Sequence, residues 1–230
     1  MGPPHAAAPQ PTIPPPQPVP RRARLGLPPL GCDAHCHVFG PHARFPYAHE
    51  RTFTPHDVPK ERLAALHAHL GFERAVIVQS ACHGTDHGAL LDALRPGGGR
   101  YRGVALLGPT ATADDVAVLH GAGVRGARFS FLPHLGGYPA EGHMRHVERL
   151  VEPYGWHLAM HVTGADLVAC YEQIRTIRVP VVTDHMARVD VRQGLSRPGL
   201  CSAAQAARKR ARLGEGERHR PLVEATSAVC

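Results

Sequence analysis

Long apolar runs are missing from this 230-residue chain. No stretch of 18 or more apolar residues occurs, so no membrane-crossing helix is expected. The N-terminus carries charge and proline but no hydrophobic segment of the secretory kind, and Arg21 and Arg22 lack the apolar run that a twin-arginine signal requires. The expected compartment is cytoplasmic. A CxxC pair is missing too: Cys32, Cys36, Cys82, Cys170, Cys201 and Cys230 are spaced as reduced core or surface thiols rather than as a disulfide framework. No glycine-rich phosphate loop follows the first strand pattern. Gly31 precedes that strand, which runs straight into His35 and His37, and this excludes a Rossmann dinucleotide site.

The apolar material present is enough for one core, since 43% of residues are hydrophobic and a chain of this length fits a single domain. Its distribution is uneven. Residues 1–30 hold eleven of the 23 prolines and read as an extended or disordered segment. The formal charge of +7 would ordinarily raise nucleic acid as a partner, because clustered Lys and Arg displace counterions from phosphates. Here the excess is local, with Arg208, Lys209, Arg210, Arg212, Arg218 and Arg220 crowding the final segment. Neither nucleic acid nor a membrane is therefore an expected partner.

From residue 32 onward short apolar runs alternate with helical patterns, the signature of βα units around a parallel sheet. Six strands are expected, over 32–39, 75–79, 101–107, 124–131, 157–162 and 179–186. Between them lie helical patterns over 59–71, 87–96, 112–123, 143–155 and 165–176, with Pro59 near a first turn, Gly71 as a C-cap and Thr112 as an N-cap. The expected fold class is α/β, TIM-barrel-like: a (β/α)8 pattern that stops after about six βα units, where a complete barrel takes about 250 residues. Three segments follow: the proline-rich stretch (1–30), an incomplete barrel (31–195), and a basic off-pattern tail (196–230) that is disordered or forms one helix.

The sharpest chemical feature is Asp33-Ala34-His35-Cys36-His37. Alternation along a strand sends His35 and His37 the same way, and two imidazoles at i and i+2 can grip one divalent metal. With 18 histidines in the chain, chance alone gives roughly one or two HxH triplets, so spacing by itself proves little. His67 and His69 form a second HxH and act as an internal control. They lie in a helical pattern, where i and i+2 diverge by about 200°, and are expected to face solvent beside a Leu63, Leu66, Leu70 stripe. His161 and His185 close the fifth and sixth strand patterns. Each alone is more often a hydrogen-bonded structural histidine, but four histidines from strands one, five and six at one mouth of a barrel favour a site. Arg128, late in strand four, and Arg188, just after His185, could offer bidentate contact to a carboxylate, against the alternative of surface ion pairs. Ser80, past strand two, could add a hydroxyl, although serine after a strand is commonplace.

At these residues the sequence resembles the amidohydrolase-related family, and within it the branch of 2-pyrone-4,6-dicarboxylate hydrolases. CDAHCHVFGP, IVQSACHGTD, GVRGARFSF, GWHLAMHV and VVTDHMARVD carry the resemblance, which covers about residues 30 to 195. It implies a hydrolase opening a lactone or similar cyclic ester of a di- or polycarboxylic acid by water attack on a carbonyl polarised by a histidine cluster or a metal. His35, His37 and His185 would be catalytic, Ser80, Arg128, His161 and Arg188 would bind a small anionic substrate, and His35, His37, His161 and His185 would hold a divalent metal, Zn or Mn. His161 stands where the pyrone enzymes carry tyrosine, and so does Phe53, while His134 falls near a family arginine. The family's strand-eight aspartate, in a WGSDWPH-like segment, has no match, and the tail looks out of register as a frameshift would leave it. Little or no turnover is expected without that base. The alternatives are an inactive truncated relative and a decarboxylase on the same scaffold; a homo-oligomer is left open.

Overall fold

Strand and helix alternate as the apolar pattern requires. The computed structural model describes residues 11–18, 20–190 and 192; the tail expected over 196–230 lies outside them. The strands are β1 (Cys32–Cys36), β2 (Arg74–Val78), β3 (Tyr101–Ala105), β4 (Val124–Ser130), β5 (His157–His161) and β6 (Val181–Thr183). The helices are α1 (Lys60–Leu70), α2 (Gly88–Leu94), α3 (Ala113–Gly121), α4 (Glu141–Val151), α5 (Gly164–Ala169) and α6 (Tyr171–Ile174). This is the βα repeat of a TIM-barrel-like α/β fold, carried through six strands. No helix among the described residues is long and apolar enough to cross a membrane.

The caps show why the helices begin and end where they do. Gly71 ends α1 in the left-handed conformation at φ 88°, which costs glycine nothing. Thr112 accepts from the Asp115 amide while Asp115 accepts from the Thr112 amide and hydroxyl, a capping box at the start of α3. Thr163 and Asp166 repeat that device for α5. The single helix expected over 165–176 is two, divided at Cys170, whose ψ of 8° leaves the helical range.

The chain divides into two compact units. The first, Met1–Leu106 with Gly121–Val124, has β1, β2 and β3 as parallel neighbours over a core of Ala75, Ile77, Val78, Leu90, Ala93 and Val104. In the second, Leu107–His120 with Arg125–Cys230, β4, β5 and β6 are parallel neighbours. Its core centres on Phe129, Met144, Val147, Trp156, Leu158 and Met160. Trp156 is fully buried and donates its indole N–H to His120 Nδ1 at 3.0 Å, which satisfies the one polar atom of the largest buried side chain. Gly126 of β4 is required by close approach: a Cβ there would stand 2.5 Å from the His157 ring.

Two departures from the expected pattern bear on the site. β1 is irregular: Cys32 and Asp33 pair with Arg74 and Ala75, but Cys36 pairs with Ile77, so three steps on β1 match two on β2. An extra residue of this kind shifts the alternation of faces. The sixth strand, expected to run to residue 186, ends at Thr183. His185, Met186, Ala187 and Arg188 then follow at φ 52°, 51°, 52° and 49°, a left-handed turn of four non-glycine residues. Each costs about 1–2 kcal/mol from Cβ crowding, so this segment is held by its surroundings. Asp184 and Ala187 on the same turn are buried.

Asp92 anchors the outer layer of the first unit. Its carboxylate, 8% exposed, lies 2.7 Å from Lys60 Nζ and 3.3 Å from Arg44 and Arg95. Burial pushes its pKa up, but the Lys60 hydrogen bond and the charges of Lys60, Arg44 and Arg95 outweigh that and hold it below its ordinary value of 3.8. The stabilisation is therefore complete above pH 3.8 and is lost as pH falls through the depressed value. Asp92→Asn is expected to lose about 1–2 kcal/mol at pH 7 and to show a flatter acid limb. Parallel urea midpoints between pH 7 and pH 3 for both proteins would contradict this.

Candidate functional site

The first unit presents His35 and His37 together. Their ring centroids are 5.1 Å apart at 84°, so the two imidazoles share one side of the chain at the end of β1; His37 lies one residue beyond the strand. Its Nδ1 is 2.7 Å from the Val78 carbonyl oxygen. Only a protonated Nδ1 can donate to a carbonyl, so Nε2 carries the lone pair, the atom a metal would use. The His35 amide donates to Asp33 Oδ1 at 3.2 Å.

Ser80 follows β2 as expected but is buried at 4% exposure. Its hydroxyl accepts from the Cys82 amide at 3.5 Å and caps the turn Ala81–His83. His83, on that turn, receives the Gly40 amide at Nε2 and faces the Pro46 carbonyl from Nδ1, both at 3.3 Å. Burial lowers its pKa, and with both nitrogens committed it is a structural histidine.

His67 corrects the solvent-facing expectation. It is 2% exposed, with Nε2 3.0 Å from Asp33 Oδ2. The expected leucine stripe is displaced with it: Leu63 and His67 form the buried side of α1, while Leu66 is exposed. Periodicity places His67 four residues after Leu63 on the same face, a signal that was available; its pairing with Asp33 was not. His69, two residues on and half-buried, has Nε2 without a hydrogen-bond partner.

In the second unit four of the expected residues gather around a fifth that sequence reasoning passed over. Arg128 Nε donates to Asp184 Oδ2 at 2.7 Å, with the side chains 8% and 7% exposed. The expected alternatives for Arg128 were a substrate contact or a surface pair; the pair is real but buried. The His161 and His185 rings stand 5.4 Å apart at 71°, and Arg188 Nη1 reaches His161 Nε2 at 3.5 Å. His185 therefore joins the group from the left-handed turn rather than from a strand end. Burial first, then the charges of Arg128, His185 and Arg188, push the His161 pKa down to about 4, against the opposing pull of Asp184. At neutral pH this imidazole is uncharged, and its buried Nδ1 has no hydrogen-bond partner. Arg188 can only donate, so Nε2 accepts and the neutral ring's proton lies on Nδ1; the lone pair on Nε2, held by one 3.5 Å contact, is the atom that fits a divalent cation.

Comparison with known proteins identifies the family. The amidohydrolase family profile matches residues 32–214. The 2-pyrone-4,6-dicarboxylate hydrolase of Comamonas testosteroni is 40% identical over 176 residues, 76% of this chain and 58% of the relative. The 4-sulfomuconolactone hydrolase of Hydrogenophaga intermedia is 31% identical over 178 residues, again 76% of this chain and 58% of the relative. A solved Pseudomonas putida structure assigned to 2-pyrone-4,6-dicarboxylic acid hydrolase is 30% identical with a TM-score of 0.65, covering 78% of this chain and 65% of that one. The chain thus spans somewhat over half the length of the curated relatives it matches. A family match over most of the described residues, with the same fold in a solved relative, makes this chain a member of the amidohydrolase family.

Proposed function

We propose that this chain carries the electrophilic and anion-binding residues of a lactone hydrolase whose substrate is a small cyclic ester bearing carboxylates, of the 2-pyrone-4,6-dicarboxylate kind. The observation that carries this reading is the second unit's group: two guanidinium groups beside two imidazoles, one of them held neutral. Relatives acting on a pyrone dicarboxylate and on a sulfonated lactone support it, because both substrates named there are anionic lactones.

The roles follow from chemistry. Asp184 takes Arg128 Nε, so a substrate carboxylate would be met by the terminal nitrogens of Arg128, with Arg188 as a second cation. The His35 and His37 pair of the first unit and the His161 and His185 pair of the second each offer imidazoles to a divalent cation of the Zn or Mn class, which when bound would polarise an ester carbonyl toward water. His161, with a pKa near 4, is too weak a base to take a proton from water at pH 7, so its part is ligation or orientation. His37, its tautomer set by Val78, presents Nε2 in the same role.

The test is a panel of carboxylated and sulfonated lactones with Zn or Mn, followed by calorimetry for binding and by loss of lactone absorbance for ring opening. Carboxylated lactones are expected to bind, with slow opening, and Arg188→Met is expected to weaken binding by roughly tenfold or more. Neutral lactones binding as well as anionic ones, or no member of the panel binding at all, would overturn the assignment.

A further inference from the structure

His35 and His37 lie together at one side of β1. On the side facing α1 the first unit builds another group. Asp33, Cys36 and His67 each bring a ligand atom to within 4.8 Å of the other two. Regular alternation would send Asp33 and Cys36, three residues apart, to opposite faces; the irregularity between them in the β1 and β2 register brings them to the same one. His67 completes the set from α1, which contributes only Leu63 and His67 to the buried interior.

The geometry points to a second cation site here, built from Cys36, His67 and Asp33, of the class that takes a thiophilic divalent ion such as Zn2+. A sulfur, an imidazole nitrogen and a carboxylate oxygen are the three donor types of that ion, at about 2.3, 2.0 and 2.1 Å. A tetrahedral arrangement at those lengths sets donor separations of about 3.3–3.6 Å, inside the 4.8 Å window observed. His67 is 2% exposed, and its Nδ1 is buried without a hydrogen-bond partner. An ordinary structural histidine uses both nitrogens, as His83 does; His67 uses one, with the Phe72 and Tyr101 rings packed against it. The Asp33 side chain, 24% exposed, gives the ion an entry path and leaves a fourth position for water. The Cys36 thiol lies 3.5 Å from the Val76 carbonyl. On binding, its proton passes to solvent and the S–H···O contact is exchanged for a sulfur–metal bond.

Cobalt(II) is the probe, because a cysteine thiolate bound to it gives a near-ultraviolet charge-transfer band that imidazole and carboxylate ligands do not. Chelator-stripped full chain titrated with Co2+ is expected to develop this band, and Zn2+ is expected to bleach it. His35→Ala with His37→Ala should keep the band, Cys36→Ser should lose it, and His67→Gln should weaken Co2+ binding at least tenfold. No band in the unaltered chain, a band surviving Cys36→Ser, or a band lost with the paired His35 and His37 substitutions would overturn the proposal. Should Cys36→Ser fail to fold by circular dichroism, His67→Gln decides: unchanged Co2+ affinity and spectrum there would overturn it equally. The proposal stands apart from the hydrolase reading, which the lactone panel tests without reference to Cys36.

Discussion

Asp184→Ala is expected to destabilise the second unit by about 3–5 kcal/mol, because it leaves the buried guanidinium of Arg128 without its counterion. The attraction between the two groups does not set that figure; the stranded charge does. With side chains 8% and 7% exposed, water cannot replace the lost carboxylate without opening the interior between β4 and the turn after β6. Removing both charges is therefore expected to cost far less than removing one: Arg128→Met with Asp184→Leu should unfold within about 1 kcal/mol of the parent, or above it. Urea denaturation of the three proteins reads both numbers. A single substitution that costs under 1 kcal/mol would show the pair to be solvated, and the reading of Asp184 as the residue that orients Arg128 would go with it. The double variant serves a second purpose, since a folded protein lacking Arg128 should have lost much of its affinity for carboxylated lactones while keeping its stability.

The local pattern of the chain made most of the scaffold legible. Val, Ile, Ala and Leu runs flanked by polar or glycine residues located all six strands within about three residues at either end, and Gly71 and Thr112 set helix boundaries through backbone geometry that any sequence of this type imposes. The misses came where position depends on something other than period. One extra residue in β1 rotates Asp33 and Cys36 onto a common face, and no hydrophobic pattern five residues long encodes a bulge. His67 was legible as buried from its spacing to Leu63, yet a titratable side chain on a helix is ordinarily assigned to solvent. The turn at His185 to Arg188 is further from reach: four consecutive non-glycine residues in the left-handed region have no sequence signature, and they are held by the burial of Asp184 and Ala187 and by contacts to Arg128 and His161. The Arg128 and Asp184 pair spans 56 residues, and a sequence offers no way to choose that aspartate from the others.

Substituting His35 and His37 together with alanine is expected to weaken Mn2+ binding by at least a hundredfold and to lower any lactone opening by about the same factor or more. Two ligands go at once, and one of them is preorganised: the Val78 carbonyl holds His37 Nδ1–H at 2.7 Å, so the lone pair on Nε2 stands ready without a tautomer change. The choice of ion matters, because the chain offers two donor sets of different softness. Manganese favours oxygen and tolerates imidazole but gains little from thiolate, whereas zinc and cobalt take sulfur readily. Mn2+ retention, followed by electron paramagnetic resonance of the free ion, therefore reports on the histidines, and the cobalt–thiolate band reports on Cys36. The paired substitution should remove the first signal and spare the second; Cys36→Ser should do the reverse. Equal Mn2+ binding before and after loss of His35 and His37 would mean that the HxH of β1 is no more a ligand pair than the His67 and His69 of α1. The hydrolase reading would then rest on Arg128, Arg188 and His161 alone.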